Sequence, residues 1–447
     1  MVRGGIRPRS VTAPPGPPDQ GRPRWVRPWM GEEPMRTSGV RGESTGGRGP
    51  ARSVRRVVAV ALVGVLAAGL AGCRGKGGEG GTGAGDPAVP QGPQLAAAVT
   101  APAADATDVQ PIMAVSFTTE QADRAEVAVV DGTGRAVPGK LTADGKRWVP
   151  SAPLRWGTKY TATVTATGAD GKTATADSAF TVMRQPATLV NASSHLGDGA
   201  VVGVGMPLMI RFGRAIPEAR RDDVQRRMTV TASPAQVGTW SWQDGQNVHY
   251  RPKVYWRAGT RVTYRVATRG LSLGGGWYGG NDLSVRLTIG ASLIMTVDNK
   301  TKSMTVTKNG RVVRKMPVSL GKPKTPTSTG TMLIMDRLPK TVFDTRDELS
   351  PDEAYVTKID WAQRLTWGGE FIHSAPWSVA DQGKRNVSHG CVNLSPANAK
   401  WLFDQTKIGD VVTIRGTEVR LQQGNGWTDW NTSWAEYAKG SALPVAG

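Results

Sequence analysis

Apolar and polar residues alternate along most of the chain after residue 95, in runs too short and of the wrong period for helices. Between 96 and 184, "IMAVSFT", "AEVAVVD", "TKYTATVTATG" and "SAFTV" alternate or run apolar. The turn dipeptides Asp131-Gly132, Asp144-Gly145 and Asp170-Gly171 fall between them. Period-two runs punctuated in this way predict a small β-sandwich. A second set of strands, "PLMIRFG", "MTVTAS", "TRVTYRVAT" and "LSVRLTIG", covers residues 187–290.

A third unit, 291–416, opens with "SLIMTVDNKTKSMTVTKNGRVVRKMPVSLG". Its strands fold back at Asn299-Lys300 and again at Asn309-Gly310, the second a strong hairpin signal. "VVTIRGT", near 411–417, reads as the closing strand. Between them lies one helix signature: Ser395 as N-cap, Pro396 at the first helical position, then "ANAKWLFDQT". Trp401, Leu402 and Phe403 are placed there to face a core. A Trp-rich extension, 417–447, is expected to pack back on this unit through Trp427, Trp430 and Trp434. The first two units resemble immunoglobulin-like domains at the level of pattern. The predicted fold class is therefore mainly β: two immunoglobulin-like β-sandwich domains followed by a β-rich domain with one main helix.

Composition supplies an address. Residues 1–56 carry 12 basic and 4 acidic side chains, +8 of the formal +20, among many Pro and Gly, and read as disordered. Arg55 and Arg56 then precede "VVAVALVGVLAAGLAGC", residues 57–73. A basic flank, an apolar run and a small-residue end make a secretory signal. The run falls short of the ~20 apolar residues that a spanning helix needs. It ends in Leu70-Ala71-Gly72-Cys73, which resembles the bacterial lipobox, where the cysteine is lipidated and becomes the mature N-terminus. Residues 1–72 are thus read as a basic segment and lipoprotein signal peptide, with Met30 or Met35 as alternative starts. Residues 73–95 are read as the lipidated Cys73 and a Gly-rich tether. The expected location is extracytoplasmic, anchored to the cell membrane and facing the cell wall. A basic excess ordinarily suggests nucleic acid; an exported address removes that partner and favours anionic wall polymers or headgroups.

The chain has only two cysteines, so a lipid on Cys73 would leave Cys391 without a disulfide partner. Cys391 stands in "NVSHGCVNLS", just ahead of the helix start. A free cysteine is only slightly ionised at neutral pH, so a nucleophilic thiol needs a base. Histidine can take that proton and later hand one to a leaving amine. Two of the four histidines flank the thiol: His373 in "GGEFIHSAPW", and His389 two residues before Cys391. Backbone N–H groups nearby can receive the charge that develops on an attacked carbonyl oxygen. Gly390 lets the backbone pass close to a substrate. Together these make a coherent acyl-transfer site. His195 and His249 have no acidic or thiol neighbours at metal-ligand spacing and read as packing or surface residues.

The longer stretch "HSAPWSVADQGKRNVSHGCVN" resembles the signature of the L,D-transpeptidases: a histidine, about fourteen residues, then Ser/Thr-His-Gly-Cys-x-Asn. Here His373, the gap 374–387, and Ser388, His389, Gly390, Cys391 and Asn393 fill it without departure. The likeness runs from about 292 to 436 and takes in "KIDWAQRLTWGGEFIHSAPW" and "SPANAKWLFD". The two β units and the tail "GWTDWNTSWAEY" are similar to the actinobacterial lipoprotein branch of that family. The resemblance implies that Cys391 attacks the carbonyl between the third and fourth residues of a peptidoglycan tetrapeptide stem and expels D-alanine. It implies His373 as base and then acid, held by the Ser374 carbonyl, with backbone amides of His389, Gly390 and Cys391 as the oxyanion hole. Tyr355, Gly368, Gly369, Ser388 and Asn393 match substrate-contacting or pocket-lining positions. Another stem's side-chain amine would resolve the thioester into a 3-3 cross-link. No metal or organic cofactor is implied, and carbapenem β-lactams would be inhibitors.

Two rivals keep the chemistry and change the acceptor: water gives an L,D-carboxypeptidase, a protein amine a wall-attachment enzyme. A third is a non-catalytic wall-binding lipoprotein with a relic last domain; erosion of the site would mark it, yet the thiol, both histidines and Asn393 are present. The β units read as spacers, so removal of 96–290 is expected to leave activity on soluble stems largely intact.

Overall fold

The computed structural model describes residues 94–346 and 356–445. Cys73, the apolar run 57–73 and Tyr355 lie outside the described residues. No helix among the described residues is long and apolar enough to cross a membrane.

Strands from Ala96 to Val182 form two four-stranded sheets. Lys159–Thr167 shows the expected alternation, with Tyr160, Ala162, Val164 and Ala166 buried and the residues between them more exposed. Val115 and Trp148 of one sheet pack with Tyr160, Ala162 and Phe180 of the other in a common core. The next set runs from Leu189 to Ile289 around a core that includes Phe212, Trp240, Trp242 and Tyr264. Two of its strands, Gly238–Trp242 and Asn247–Pro252, were not evident from alternation. Their side chains are buried in near-continuous runs, which erases a period of two. A short helix, Glu218–Gln225, also joins this unit.

The last unit is labelled here by its own strands: β1 (Leu293–Asp298), β2 (Ser303–Lys308), β3 (Arg311–Pro317), β4 (Ser328–Leu333) and β5 (Asp336–Asp344). They are followed by β6 (Val356–Arg364), β7 (Phe371–Ser374), β8 (Val392–Leu394), β9 (Val411–Arg415) and β10 (Val419–Arg420). One sheet has the order β3-β2-β1-β9-β4-β10 and the other β5-β6-β7-β8. The β2–β3 hairpin turns on Asn309 (φ 48°) and Gly310 (φ 80°), the left-handed pair that a two-residue turn requires. β9 does not close the unit at an edge: it is parallel to β1 and antiparallel to β4, and central pairing explains its buried Val411, Val412 and Ile414. The helix Pro396–Gln405 begins where the sequence places it, with Ser395 Oγ accepting from the Asn398 amide (3.4 Å). It buries Ala399, Leu402 and Phe403, while Trp401 is only partly covered, beneath the Arg314 guanidinium.

The second β unit and the last unit share one hydrophobic core. Val204, Met206 and Leu208 belong to the same buried cluster as Leu333, Met335, Val411 and Trp427. Backbone bonds cross the seam from Gly203 N to Ile408 O (2.8 Å) and from Gly205 N to Gly409 O (3.0 Å). The C-terminal extension does not pack on the last unit alone. Trp430 Nε1 donates to Gly205 O (2.6 Å), and the buried Arg251 lies over the rings of Trp430, Trp434 and Tyr437. His249 accordingly has an acidic partner that spacing did not reveal, Asp429, at 2.9 Å and 180 residues away. His195 packs edge-on against Trp427, at 4.9 Å between ring centres.

Candidate active site

β7 and β8 run parallel, with Ile372 opposite Val392, His373 opposite Asn393 and Ser374 opposite Leu394. Side chains alternate across a strand, so this register sorts the residues by face. Ile372, Val392 and Leu394 enter the core beneath the sheet. Phe371, His373, Cys391 and Asn393 fall on the other face, where the last three line a cleft with Phe343, Ile359 and Trp377. Thr357, Val387, Ser388 and His389 complete its wall. Three residues that the motif spreads over 21 positions are thus neighbours because two short strands pair.

The His373 ring is oriented by the backbone: Nδ1 lies 2.8 Å from the Ser374 carbonyl oxygen. A carbonyl only accepts, so Nδ1 carries the proton and Nε2 keeps its lone pair. The ring is 3% exposed, with Phe343 edge-on at 5.4 Å and Trp377 at 6.0 Å. Burial lowers its pKa from 6.5 to about 4, against the opposing effect of the Ser374 bond. Cys391 is a free cysteine and 9% exposed. Burial pushes its thiol up to about 12; the Phe371 amide and Arg364 favour the thiolate, and the Glu370 charge opposes it. Its Sγ points at the Gly369 carbonyl oxygen, 3.6 Å away. Thiol and imidazole therefore rest as a neutral pair.

The segment before the thiol is zipped to the strand end after β3. Asn393 N and O pair with Ser319, Ser388 N donates to Leu320 O (3.0 Å) and Lys322 N donates to Ser388 O (2.8 Å). The Lys322 ammonium sits 3.0 Å from His389 Nε2, so His389 is engaged at the rim, while the ring pinned to a backbone carbonyl is that of His373. Several positions that the family pattern places near the substrate also make bonds within the fold. The Gly390 amide, expected in the oxyanion hole, donates to Ser388 Oγ (3.1 Å), which in turn donates to Cys391 O (2.6 Å). Ser388, expected on the substrate, stands in the cleft wall while its hydroxyl braces the loop. Gly368 N donates to Asn425 Oδ1 (2.7 Å) of the tail, and Gly369 (φ 91°) turns the chain so that its carbonyl meets the sulfur.

Asn393 is 2% exposed, and its amide orientation is fixed. Ser378 Oγ donates to Ala375 O (3.1 Å), so it can only accept from Asn393 Nδ2 (3.1 Å). That leaves Oδ1 buried without a hydrogen-bond partner among the described residues, an acceptor beside the cleft. Phe343, Thr357, Ile359, Trp377 and Val387 were missed by sequence reasoning; only Trp377, three residues past the histidine strand, carried a signal in its exposed aromatic bulk. No group of His, Cys, Asp or Glu among the described residues could hold a metal ion.

A buried thiol beside an imidazole whose proton is pinned to a carbonyl is the equipment of a cysteine acyltransferase. Comparison with known proteins narrows the class. The profile of the L,D-transpeptidase catalytic domain matches residues 292–414, and that of a bacterial Ig domain matches residues 106–272, across parts of both β units. The chain is 38% identical to L,D-transpeptidase 2 of Mycobacterium tuberculosis over 332 residues, 73% of this chain and 80% of that one. It is 32% identical to L,D-transpeptidase 5 of the same species over 328 residues, 71% of each chain. A solved structure of an LD transpeptidase in complex with imipenem is 35% identical and covers 52% of this chain and 100% of its own, with a TM-score of 0.44. The chain belongs to the L,D-transpeptidase family, and its last unit is a peptidoglycan L,D-transpeptidase domain.

Proposed function

We propose that the enzyme acts on tetrapeptide stems, with Cys391 as nucleophile and His373 as the shuttle for one proton. His373 Nε2 takes the proton from Sγ as the sulfur attacks the carbonyl of the third stem residue. It then delivers that proton to the nitrogen of the leaving D-alanine, and a thioester remains on Cys391. A side-chain amine of a second stem attacks the thioester carbonyl, loses a proton to Nε2 and forms the 3-3 link; Nε2 returns the proton to the sulfur. Ser374 acts through its carbonyl, which keeps the ring in the Nε2-basic tautomer. The observation that carries this reading is the His373 Nδ1 to Ser374 O bond of 2.8 Å, in register beside the thiol strand. Amides of the His389–Gly390–Cys391 loop receive the oxyanion; the bond from Gly390 to Ser388 moves that duty toward the Cys391 amide. Asn393 Oδ1 is the acceptor for a stem amide N–H, and Tyr355 is assigned a substrate contact from the family pattern alone.

Carbapenems fit the same chemistry. The thiol opens the strained ring at its carbonyl, the ring nitrogen takes the proton, and the whole drug stays attached as a thioester. The test is intact-protein mass after incubation with a carbapenem. A gain of one drug mass, absent in Cys391→Ala, is expected; no gain would end the assignment. Muropeptide digests after reaction should contain dimers, and trimmed tripeptides alone would make the enzyme an L,D-carboxypeptidase. For location, the proposal is a lipid anchor at Cys73 that holds the enzyme on the outer face of the membrane, toward the wall. Radiolabelled palmitate should enter the wild-type protein and not Cys73→Ala.

A further inference from the structure

One partly buried acid close to the thiol has no part in the reaction above. Glu370 lies between the two backbone groups that touch the sulfur. The Gly369 carbonyl faces Sγ at 3.6 Å, and the Phe371 amide favours its ionised form. Glu370 is itself tied down on several sides. Its Oε1 accepts from the Ser328 amide at the head of β4 (2.7 Å), and its own amide donates to Thr366 Oγ1 (3.0 Å). Its carbonyl accepts from the Leu365 amide (2.9 Å). A Cβ built on Gly390 would meet the Glu370 Cγ at 3.7 Å, so the side chain lies on the side of the loop that carries the thiol. Its Oε2 is buried with no hydrogen-bond partner among the described residues.

We propose that Glu370 is a positioning residue for the nucleophile: its side chain, fastened to the Ser328 amide, fixes the 369–371 backbone that faces the sulfur. The proposal rests on the reading of Cys391 as the nucleophile and adds a control on how readily the sulfur ionises. A carboxylate at this place repels a thiolate, and a neutral carboxyl does not. The charged or titratable groups around the sulfur are Glu370, Arg364 at the end of β6, His373 on β7 and, across the cleft rim, His389 with the Lys322 ammonium. Burial raises the Glu370 carboxyl above its usual range, while the Ser328 bond works against this. An acid with one oxygen anchored and the other buried unpartnered can gain or lose charge without releasing the backbone it holds.

The experiment uses the full chain carrying Cys73→Ser, which leaves Cys391 as the sole thiol, with Glu370→Gln and Glu370→Ala as variants. Iodoacetamide alkylation of Cys391 is followed by mass from pH 6 to 10.5, and carbapenem acylation at pH 7, with thermal melts as a check on folding. Gln can still accept from Ser328 but cannot ionise. Glu370→Gln should therefore melt like the parent and alkylate several-fold faster at pH 10. Glu370→Ala loses the anchor and should acylate about ten-fold more slowly at unchanged drug affinity. Superimposable alkylation profiles for the parent and Glu370→Gln, or parental acylation by a folded Glu370→Ala, would overturn the proposal. A parent protein that alkylates at Cys391 but takes no carbapenem would instead sink the acyl-transfer reading, with the alkylation profiles still deciding the role of Glu370.

Discussion

Raising the pH over the unliganded enzyme interrogates the resting state of the thiol. With its pKa at about 12, Cys391 is thiolate in only about 10⁻⁵ of molecules at pH 7, against about 10⁻² for a thiol at the ordinary 9.0. Basicity restores part of that three-decade loss, because intrinsic nucleophilicity climbs with a slope of about 0.4–0.5 per pKa unit. The net expectation is alkylation by iodoacetamide roughly 50-fold slower than for an unburied cysteine in the same buffer. Limited access to a side chain 9% exposed slows it further. The sharper observable is shape. The logarithm of the rate should climb with unit slope up to pH 10 and show no plateau. A plateau between pH 5 and 8 would mean a preformed thiolate–imidazolium pair, and the neutral resting pair would be refuted. The partner can be read independently by NMR of ring-labelled histidine, where the signal lost in His373→Gln should titrate near 4.

The same imidazole should make the fold acid-sensitive. Its folded pKa of about 4 lies below the ordinary 6.5, so the unfolded chain takes the proton first and stability falls as pH drops through that window. The loss is about 2 kcal/mol at pH 5 and about 3 kcal/mol in full, and the gap between wild type and His373→Gln in melting temperature should track it. Gly203→Ala should destabilise by about 3 kcal/mol or more in thermal unfolding, since its Cβ would lie 2.2 Å from Asp410 N and 2.3 Å from Gly409 C, backbone atoms that cannot swing aside. Removing residues 94–184 should leave the melting and carbapenem acylation of the last unit nearly unchanged. Removing 94–290 should not: it uncovers Leu333, Met335, Val411 and Trp427, each contributing up to about 2 kcal/mol by burial, and the product should aggregate or melt far lower.

That last expectation reverses the one drawn from sequence, and the reason is physical. Spacing reveals an element when one face is wet and the other dry, as in Lys159–Thr167. It reveals a turn when the backbone needs a special conformation, as at Asn309-Gly310, and a cap when a side chain replaces a missing partner, as at Ser395. The nucleophile motif was legible because its residues are packed into two short segments. A seam between units has no such local mark. Val204 and Met206 look like any buried residues until Leu333 and Trp427 are seen against them. His249 gains its acid from 180 residues away, β9 is central only because β1 and β4 flank it, and Glu370 is anchored only because Ser328 arrives beside it. The fate of the Gly390 amide belongs to the same class: sequence supplies the donor, but Ser388 Oγ claims it only in the folded loop.

A neutral, buried thiol also answers a difficulty that a cysteine enzyme would face at the outer location proposed for this one. Oxidants and stray electrophiles react with the thiolate, so a cysteine kept reactive at rest would be consumed between turnovers. Here three features suppress the thiolate together: desolvation, a sulfur directed at the Gly369 carbonyl and away from solvent, and an imidazole whose own charge is disfavoured by the Phe343 and Trp377 walls. None of them removes catalytic competence, because Nε2 keeps its lone pair throughout. On the proposed mechanism, a stem peptide that fills the cleft supplies the missing element, an electrophilic carbon within reach of the sulfur. Proton transfer to His373 can then accompany bond formation rather than precede it, so charge appears first on an oxygen that the loop amides can receive. Protection and reactivity are thus separated by occupancy of the cleft, and both follow from the pairing of β7 with β8.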